Sequence, residues 1–175
     1  TGALTGTPEN DDVGPHPVLV RADDGNGGIV TQPFTVTVAN INDAPFFTSA
    51  PVTNVNEDAP YSYTVITNDV DVGDVAALTA PTLPGWLSFT DNGDGTGTLT
   101  GTPENDDVGA NPVLVRADDG NGGIVTQPFT VTVTNTNDAP FFTSVPVTNV
   151  NEDVLYTYTV TTGDVDVGDV AALTA

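Results

Sequence analysis

The acidic residues of this chain recur at fixed places, in patterns that suit ligands. Asp69-Val-Asp-Val-Gly-Asp74 returns as Asp164 to Asp169, Pro8-Glu-Asn10 as Pro103-Glu-Asn105, and Arg21-Ala-Asp-Asp-Gly25 as Arg116 to Gly120. On extended backbone, Asp69 and Asp71 would project to one side about 6–7 Å apart, and Gly73 would then let the chain turn sharply. Two carboxylates held so close repel unless they are protonated or bridged by a cation. The other recurring acids, Glu57, Glu104, Asp119 and Asp138, fall near predicted strand ends. Carboxylates, asparagine amides and backbone carbonyls, with no thiolate and no recurring imidazole, make an all-oxygen donor set. That set suits a hard cation taking about six to eight ligands, and calcium is the expected ion. The plainer reading is that acids gather in loops because loops are wet. Against it, residues 44–138 hold 13 acids and one arginine, where a demand for solubility alone would scatter lysine as well.

The elements that must position these acids repeat with them. Aligning residues 1–43 with 96–138 gives 38 identities in 43 positions, and 44–80 with 139–175 gives 31 in 37, a period of 95 residues. A period of that length reads as tandem modules, each one small domain. The register makes residues 44–138 a complete module. Residues 1–43 are then the C-terminal half of the one before, and 139–175 the N-terminal half of the one after, a window within a longer array.

Composition excludes several classes. With 24 acids against two arginines and no lysine, the formal net charge is -22, which is unsuited to nucleic acid phosphates and to an anionic membrane surface. Such charge often marks disorder, yet 38% of residues are hydrophobic and they alternate, which predicts a folded chain. The absence of cysteine excludes disulfides and thiolate metal sites, and without lysine no Lys–Asn isopeptide bond can form. No apolar run is long enough to span a bilayer, and no signal peptide is evident.

The period of two in Phe129-Thr-Val-Thr-Val133, Tyr61-Ser-Tyr-Thr-Val65 and Thr96-Gly-Thr-Leu-Thr100 predicts an all-β fold. Asp91-Asn-Gly-Asp-Gly95 reads as a hairpin tip, and Asp118-Asp-Gly-Asn-Gly-Gly123 as a glycine-rich strand connection. About seven strands are expected in the complete module, near 47–55, 60–66, 75–79, 86–90, 95–100, 112–118 and 123–134. That number in one small domain indicates a Greek-key, Ig-like β-sandwich. The expected core is Val52, Tyr63, Val65, Leu78, Trp86, Leu87, Leu99, Leu114, Phe129, Val131 and Val133. Asn40-Ile-Asn-Asp-Ala-Pro45 and Asn135-Thr-Asn-Asp-Ala-Pro140 read as short, stiff connectors, since proline fixes its own φ and extends the residue before it. Asp91 and Asp94 read as a solvated tip. His16 reads as incidental because its repeat partner is Asn111, and Arg21 and Arg116 as partners of a neighbouring acid.

Asn-Asp-Ala-Pro, Asp-x-Asp-x-Gly-Asp, Ala117-Asp-Asp-Gly120, and one Glu early and one midway in the module together resemble the calcium-binding signature of cadherin repeats. Pro84-Gly-Trp-Leu-Ser-Phe89, then Gly101-Thr-Pro103 and Asp119-Gly-Asn-Gly-Gly123, is similar to the dystroglycan-type cadherin-like repeats of large bacterial RTX-type surface adhesins. The resemblance implies about three calcium ions between successive modules, bound by the base of one, the connector and the top of the next. For the junction after the complete module it implies Glu57 and Glu104 from the base, Asn135, Asn137 and Asp138 from the connector, and Asp164 and Asp166 from the top. For the junction before, it implies Glu9, then Asn40, Asn42 and Asp43, then Asp69, Asp71 and Asp119. Asn40 and Asn135 stand where the family usually has Asp, and Thr7 and Thr102 where it usually has an acid, which weakens the outermost ion.

The expected function is a calcium-stiffened extender of an extracellular bacterial adhesin that holds a distal binding domain away from the cell for adhesion or biofilm formation. The alternative is a calcium-dependent sugar-binding or homophilic module, which predicts an exposed aromatic patch. No catalytic constellation is evident, so no enzyme is expected. The expected partners are calcium ions and neighbouring repeats, including end-to-end contacts between chains in which one half-module completes another.

Overall fold

The computed structural model describes residues 1–166 and 168–174; Val167 of the second Asp-x-Asp loop and Ala175 lie outside the described residues. The strands follow from the alternation. In β5 (Tyr61–Asn68), Tyr61, Tyr63 and Val65 are buried while Ser62 and Thr64 face solvent. β8 (Thr96–Gly101) pairs with β5 in antiparallel register, setting Leu99 opposite Tyr63. β7 (Leu87–Asp91) adds to the far side of β8, and β3 (Phe46–Phe47) to the far side of β5, giving the sheet order β3-β5-β8-β7. The second sheet is β4-β10-β9-β6, built from β4 (Asn54–Asn56), β10 (Ile124–Thr134), β9 (Gly109–Asp118) and β6 (Ala77–Thr82). Within it, β4 runs parallel to β10 and the other neighbours are antiparallel. The chain thus crosses from one sheet to the other and back, and the fold is an all-β, Ig-like sandwich.

Seven expected strands appear as eight because the expected 47–55 strand splits. Phe46–Phe47 pairs with β5 in one sheet, whereas Asn54–Asn56 pairs with β10 in the other. Pro51 lies between them, and a residue with no N–H suits the bend where a strand changes sheets.

The core is one cluster including Tyr61, Tyr63, Val65, Leu78, Leu87, Leu99, Val113, Val115, Ala117 and Val131. Two expectations fail. On β9 the buried face is Val113, Val115 and Ala117, not Leu114, which shares the other face with Arg116 and Asp118. Alternation settles this: a face that carries Arg116 cannot also be the core face two residues earlier. Val52 is 42% exposed because it lies in the segment that crosses between the sheets. Trp86 and Phe129 are partly buried against the cluster and pack edge-on, at 87° to Tyr61 and 88° to Tyr63 respectively. The Trp86 indole N–H also donates to Asn111 Oδ1 at 3.1 Å.

Polar bonds lock the two sheets in register. The Tyr63 hydroxyl lies 2.7 Å from Ser49 Oγ and donates to Gln127 Oε1 at 3.0 Å, while Gln127 Nε2 donates to the Ser49 carbonyl at 3.0 Å. Asp94 behaves as a hairpin tip, accepting from the Thr96 N–H and hydroxyl. Asp91 does more than expected: its Oδ2 accepts the Leu78 N–H at 3.0 Å, tying β7 to β6 of the other sheet.

Residues 1–43 form a hairpin of β1 (Gly14–Asp23) and β2 (Ile29–Val38). Val20, Phe34 and Val36, which repeat Val115, Phe129 and Val131, are 38%, 38% and 46% exposed, since no second sheet packs on this two-stranded hairpin among the described residues. In residues 139–174, β11 (Phe141–Phe142) pairs with β12 (Thr162–Gly163). Among the described residues, no helix is long and apolar enough to cross a membrane.

Leu99 is fully buried, so Leu99→Ala is expected to cost about 2–5 kcal/mol in urea unfolding. Tyr61 supplies a pH test. Burial pushes its phenol up to about 12 from an ordinary 10.0, with the neighbouring Tyr63 adding to the rise. A raised acid favours the fold while protonated, so its contribution is complete below about pH 10 and is lost as pH climbs towards 12. Unfolding at pH 9 and pH 11.5 should differ by on the order of 2 kcal/mol, and Tyr61→Phe should flatten that slope.

Candidate metal centre

The Asp69–Asp74 loop is a turn and not the extended strand expected from its Asp-x-Asp spacing. Asp69 Oδ1 accepts the Asp71 N–H at 2.9 Å, and the Asp74 N–H donates to the Asp71 carbonyl at 3.2 Å. An aspartate that bonds the backbone two residues on competes with strand pairing, and Gly73, at φ +96°, completes the reversal. The turn aims Asp71 at the connector, where its Oδ2 accepts the Asp43 N–H at 2.7 Å.

Around that contact the first junction gathers residues from three places. Asn42 Nδ2 donates to Asp119 Oδ2 at 2.9 Å across 77 residues of sequence, and Asn10 Nδ2 donates to Asp43 Oδ2 at 3.0 Å. The Asp119 loop is shaped by its own carboxylate, whose Oδ1 accepts the N–H groups of Asn121 and Gly123. The Asn42 amide first, and these backbone bonds with it, hold the Asp119 carboxyl below the usual carboxylate range. Gly123 lets the connector come close: a Cβ there would lie 2.7 Å from the Ala44 Cα.

The second junction repeats this arrangement one period later. The Asp138 N–H donates to Asp166 Oδ2 at 2.7 Å, Asn105 Nδ2 to Asp138 Oδ2 at 3.0 Å, and the Asp166 N–H to Asp164 Oδ1 at 3.1 Å. Here the base also includes the module's early acid, Glu57. Asp58 takes a left-handed φ of +59° and donates its N–H to the Pro103 carbonyl, which turns the preceding Glu57 inward. Glu57 donates its own N–H to the Thr134 carbonyl at 3.0 Å and accepts the Thr136 N–H on Oε1.

Charge is the unusual feature of both sites. Glu57, Asp71 and Asp166 are 2%, 5% and 5% exposed. Glu57 Oε2, Asp69 Oδ2, Asp71 Oδ1, Asn105 Oδ1 and Asp166 Oδ1 are buried with no hydrogen-bond partner. Neither guanidinium serves them, because Arg21 pairs with Asp23 and Arg116 with Asp118, each at 2.6 Å. One oxygen of each carboxylate has a backbone donor, but the other, buried with neither donor nor counter-charge, carries a desolvation penalty that nothing repays. A hard cation removes that penalty, and the orphaned atoms are all oxygens, the donors it prefers. No three Asp, Glu or His side chains among the described residues converge on one point at metal-ligand distance. A cation held here would have to draw as well on amide and backbone oxygens.

The structure does not gather every residue expected here. Glu9 and Glu104 are exposed at the starts of one-turn 3-10 helices (Asn10–Asp12 and Asn105–Asp107). Asn40 and Asn135 are exposed, and Asn137 Nδ2 turns back to the Asp138 carbonyl at 2.7 Å. Conversely, Asn10, Asn105 and the Thr136 N–H were missed. The two asparagines carried a signal, since each follows its Glu and precedes the connector acid by 33 residues in both copies.

Several known structures resemble this fold. An endo-fucoidan hydrolase of glycoside hydrolase family 107, MfFcnA4, shares 26% identity over 75% of this chain and 20% of its own, with a TM-score of 0.45. The SrpA adhesin from Streptococcus sanguinis shares 16% identity over 62% of this chain and 68% of its own, at 0.48. The N-terminal Ig1-2 module of the Drosophila receptor protein tyrosine phosphatase DLAR shares 16% over 58% of this chain and 57% of its own, at 0.43. The chain spans about a fifth of the fucoidan hydrolase it matches. No curated protein matches the sequence. The family model He_PIG, described as "Putative Ig domain", matches residues 44–134. With more than half of its length matched by that model, the chain belongs to the He_PIG family of Ig domains.

Proposed function

We propose that this chain is a calcium-rigidified extender: cadherin-like Ig repeats of a bacterial surface adhesin, exposed outside the cell, that hold a distal binding domain at a distance. The observation that carries the reading is the pair of buried, unpaired carboxylates at successive junctions, held in the same hydrogen-bond pattern one period apart. At the first junction the holding residues would be Asp43, Asp69, Asp71 and Asp119. At the second they would be Glu57, Asp138, Asp164 and Asp166. Bound calcium would supply positive charge and oxygen coordination and nothing else. The protein's part is to bring a connector acid against an acid of the next module, so that neutralising one neutralises both.

Near-identity between the copies fits a spacer, because a spacer needs number and stiffness more than diversity. Trp86, the one tryptophan, is partly buried, packed edge-on against Tyr61 and bonded to Asn111, an arrangement that serves the core. The reading assigns no catalysis to the chain.

Three outcomes are expected. Small-angle scattering should give a longer maximum dimension in millimolar calcium than in EDTA, since carboxylates within a Debye length of about 10 Å push the bare junctions apart. The same dimension in both buffers would refute the spacer mechanism. Asp138→Ala should weaken calcium binding at the second junction, whereas Asp91→Ala should lower thermal stability through the lost Leu78 contact and leave calcium affinity unchanged. Gly123→Ala should loosen the first junction, read as a weaker calcium-induced rise in melting temperature, because the added methyl would collide with Asp119 Oδ2 and lie 2.7 Å from the Ala44 Cα and must displace both.

A further inference from the structure

We propose that Asn105 is itself a cation ligand through Oδ1, taking at the second junction the place that the neighbouring Glu104 was expected to fill; the assignment rests on the calcium reading above. Glu104 and Asn105 begin the same short turn, and Asp107 fixes that turn by accepting the Glu104 N–H at 3.0 Å. The turn leaves Glu104 exposed and brings Asn105 inward. Chemistry then orients the amide. Its Nδ2 donates to Asp138 Oδ2 at 3.0 Å, and the reverse placement would set an amide oxygen against a carboxylate oxygen, two acceptors with no proton between them. With the nitrogen committed, Oδ1 is buried and has no donor.

A second, independent observation points to what that oxygen meets. Glu57 Oε2 and Asp166 Oδ1 are orphaned at the same junction, on side chains 2% and 5% exposed. Both belong to groups bonded to the same connector, Glu57 through Thr136 and Asp166 through Asp138. Three buried oxygens that lack donors, each on a side chain bonded to the 136–138 stretch, are the atoms a hard cation at this junction would take as ligands. The amide has a distinct value in that shell: it adds a ligand without adding charge, where another carboxylate would raise the repulsion among the rest. Asn10 makes the same bond to Asp43 at 3.0 Å at the first junction, although there the asparagine is exposed.

The test is calcium titration calorimetry and thermal melting, each in calcium and in EDTA, on the whole chain carrying Asn105→Ala, Asn105→Asp or Glu104→Ala. Asn105→Ala should weaken binding at the second junction by about tenfold and cut the calcium-induced rise in melting temperature, with little change in EDTA. Asn105→Asp should melt lower in EDTA, since a carboxylate then faces Asp138, and should recover in calcium, where both share the ion. Glu104→Ala should bind like the unmodified chain. Wild-type affinity in Asn105→Ala, no recovery of Asn105→Asp in calcium, or a larger loss from Glu104→Ala would each overturn the assignment. If the unmodified chain shows no binding heat and melts alike in both buffers, the calcium reading itself falls, and this assignment falls with it.

Discussion

Uncompensated negative charge at the junctions is the constraint on which the rest of the structure depends. The sandwich between the junctions is conventionally held, by an apolar cluster, two edge-on aromatic pairs and a polar lock of Tyr63, Ser49 and Gln127. The ends are different. There the backbone N–H groups of Asp43 and Asp138 already bind one oxygen of Asp71 and Asp166, while the other oxygen of each acid is buried without a partner. The protein's own bonds thus already hold these acids in place, and on the proposed reading an ion would complete the arrangement. A site preorganised in this way loses less freedom on binding than one that must be gathered from loose loops.

Much of the fold was legible because strands announce themselves by a period of two. Tyr63, Val65, Leu99 and Val131 stand on the core face as expected, and Tyr61, left out of the expected core, follows Tyr63 by the same alternation. Leu114 could not be placed by hydrophobicity, since Val113, Leu114 and Val115 are all apolar and only the charged Arg116 two residues on distinguishes the faces. The break in the 47–55 strand was hidden for a different reason. A segment that changes sheets keeps its extended character and its β-branched residues, and only Pro51 hints that its partners change.

The site was legible at the level of residue type and blurred at the level of geometry. Asp43, Asp71, Asp119, Asp138 and Asp166 stand at the junctions, and the connector was readable from its prolines. The Asp-x-Asp spacing suggested a shared strand face, but an aspartate close to its own backbone prefers to bond it, and that preference made a turn. The glutamate before Asn105 drew attention as the stronger ligand. Yet which of two adjacent residues points inward is decided by the 3-10 turn that Asp107 stabilises, a local detail that composition does not encode.

The pairing of β4 with β10 has a mechanical meaning. Asn54, Val55 and Asn56 lie parallel to Thr132, Val133 and Thr134, one segment close to the incoming connector and the other directly before the outgoing one. Tension along an array enters and leaves a module through those connectors. It would therefore draw two parallel strands in opposite directions along their length, so that the ladder between them is loaded in shear. Bonds sheared together must stretch together, whereas an antiparallel hairpin pulled from its open end peels apart one bond at a time. In any array pulled from end to end, the topology thus sets the load-resistant pairing between the points where force enters and leaves the module.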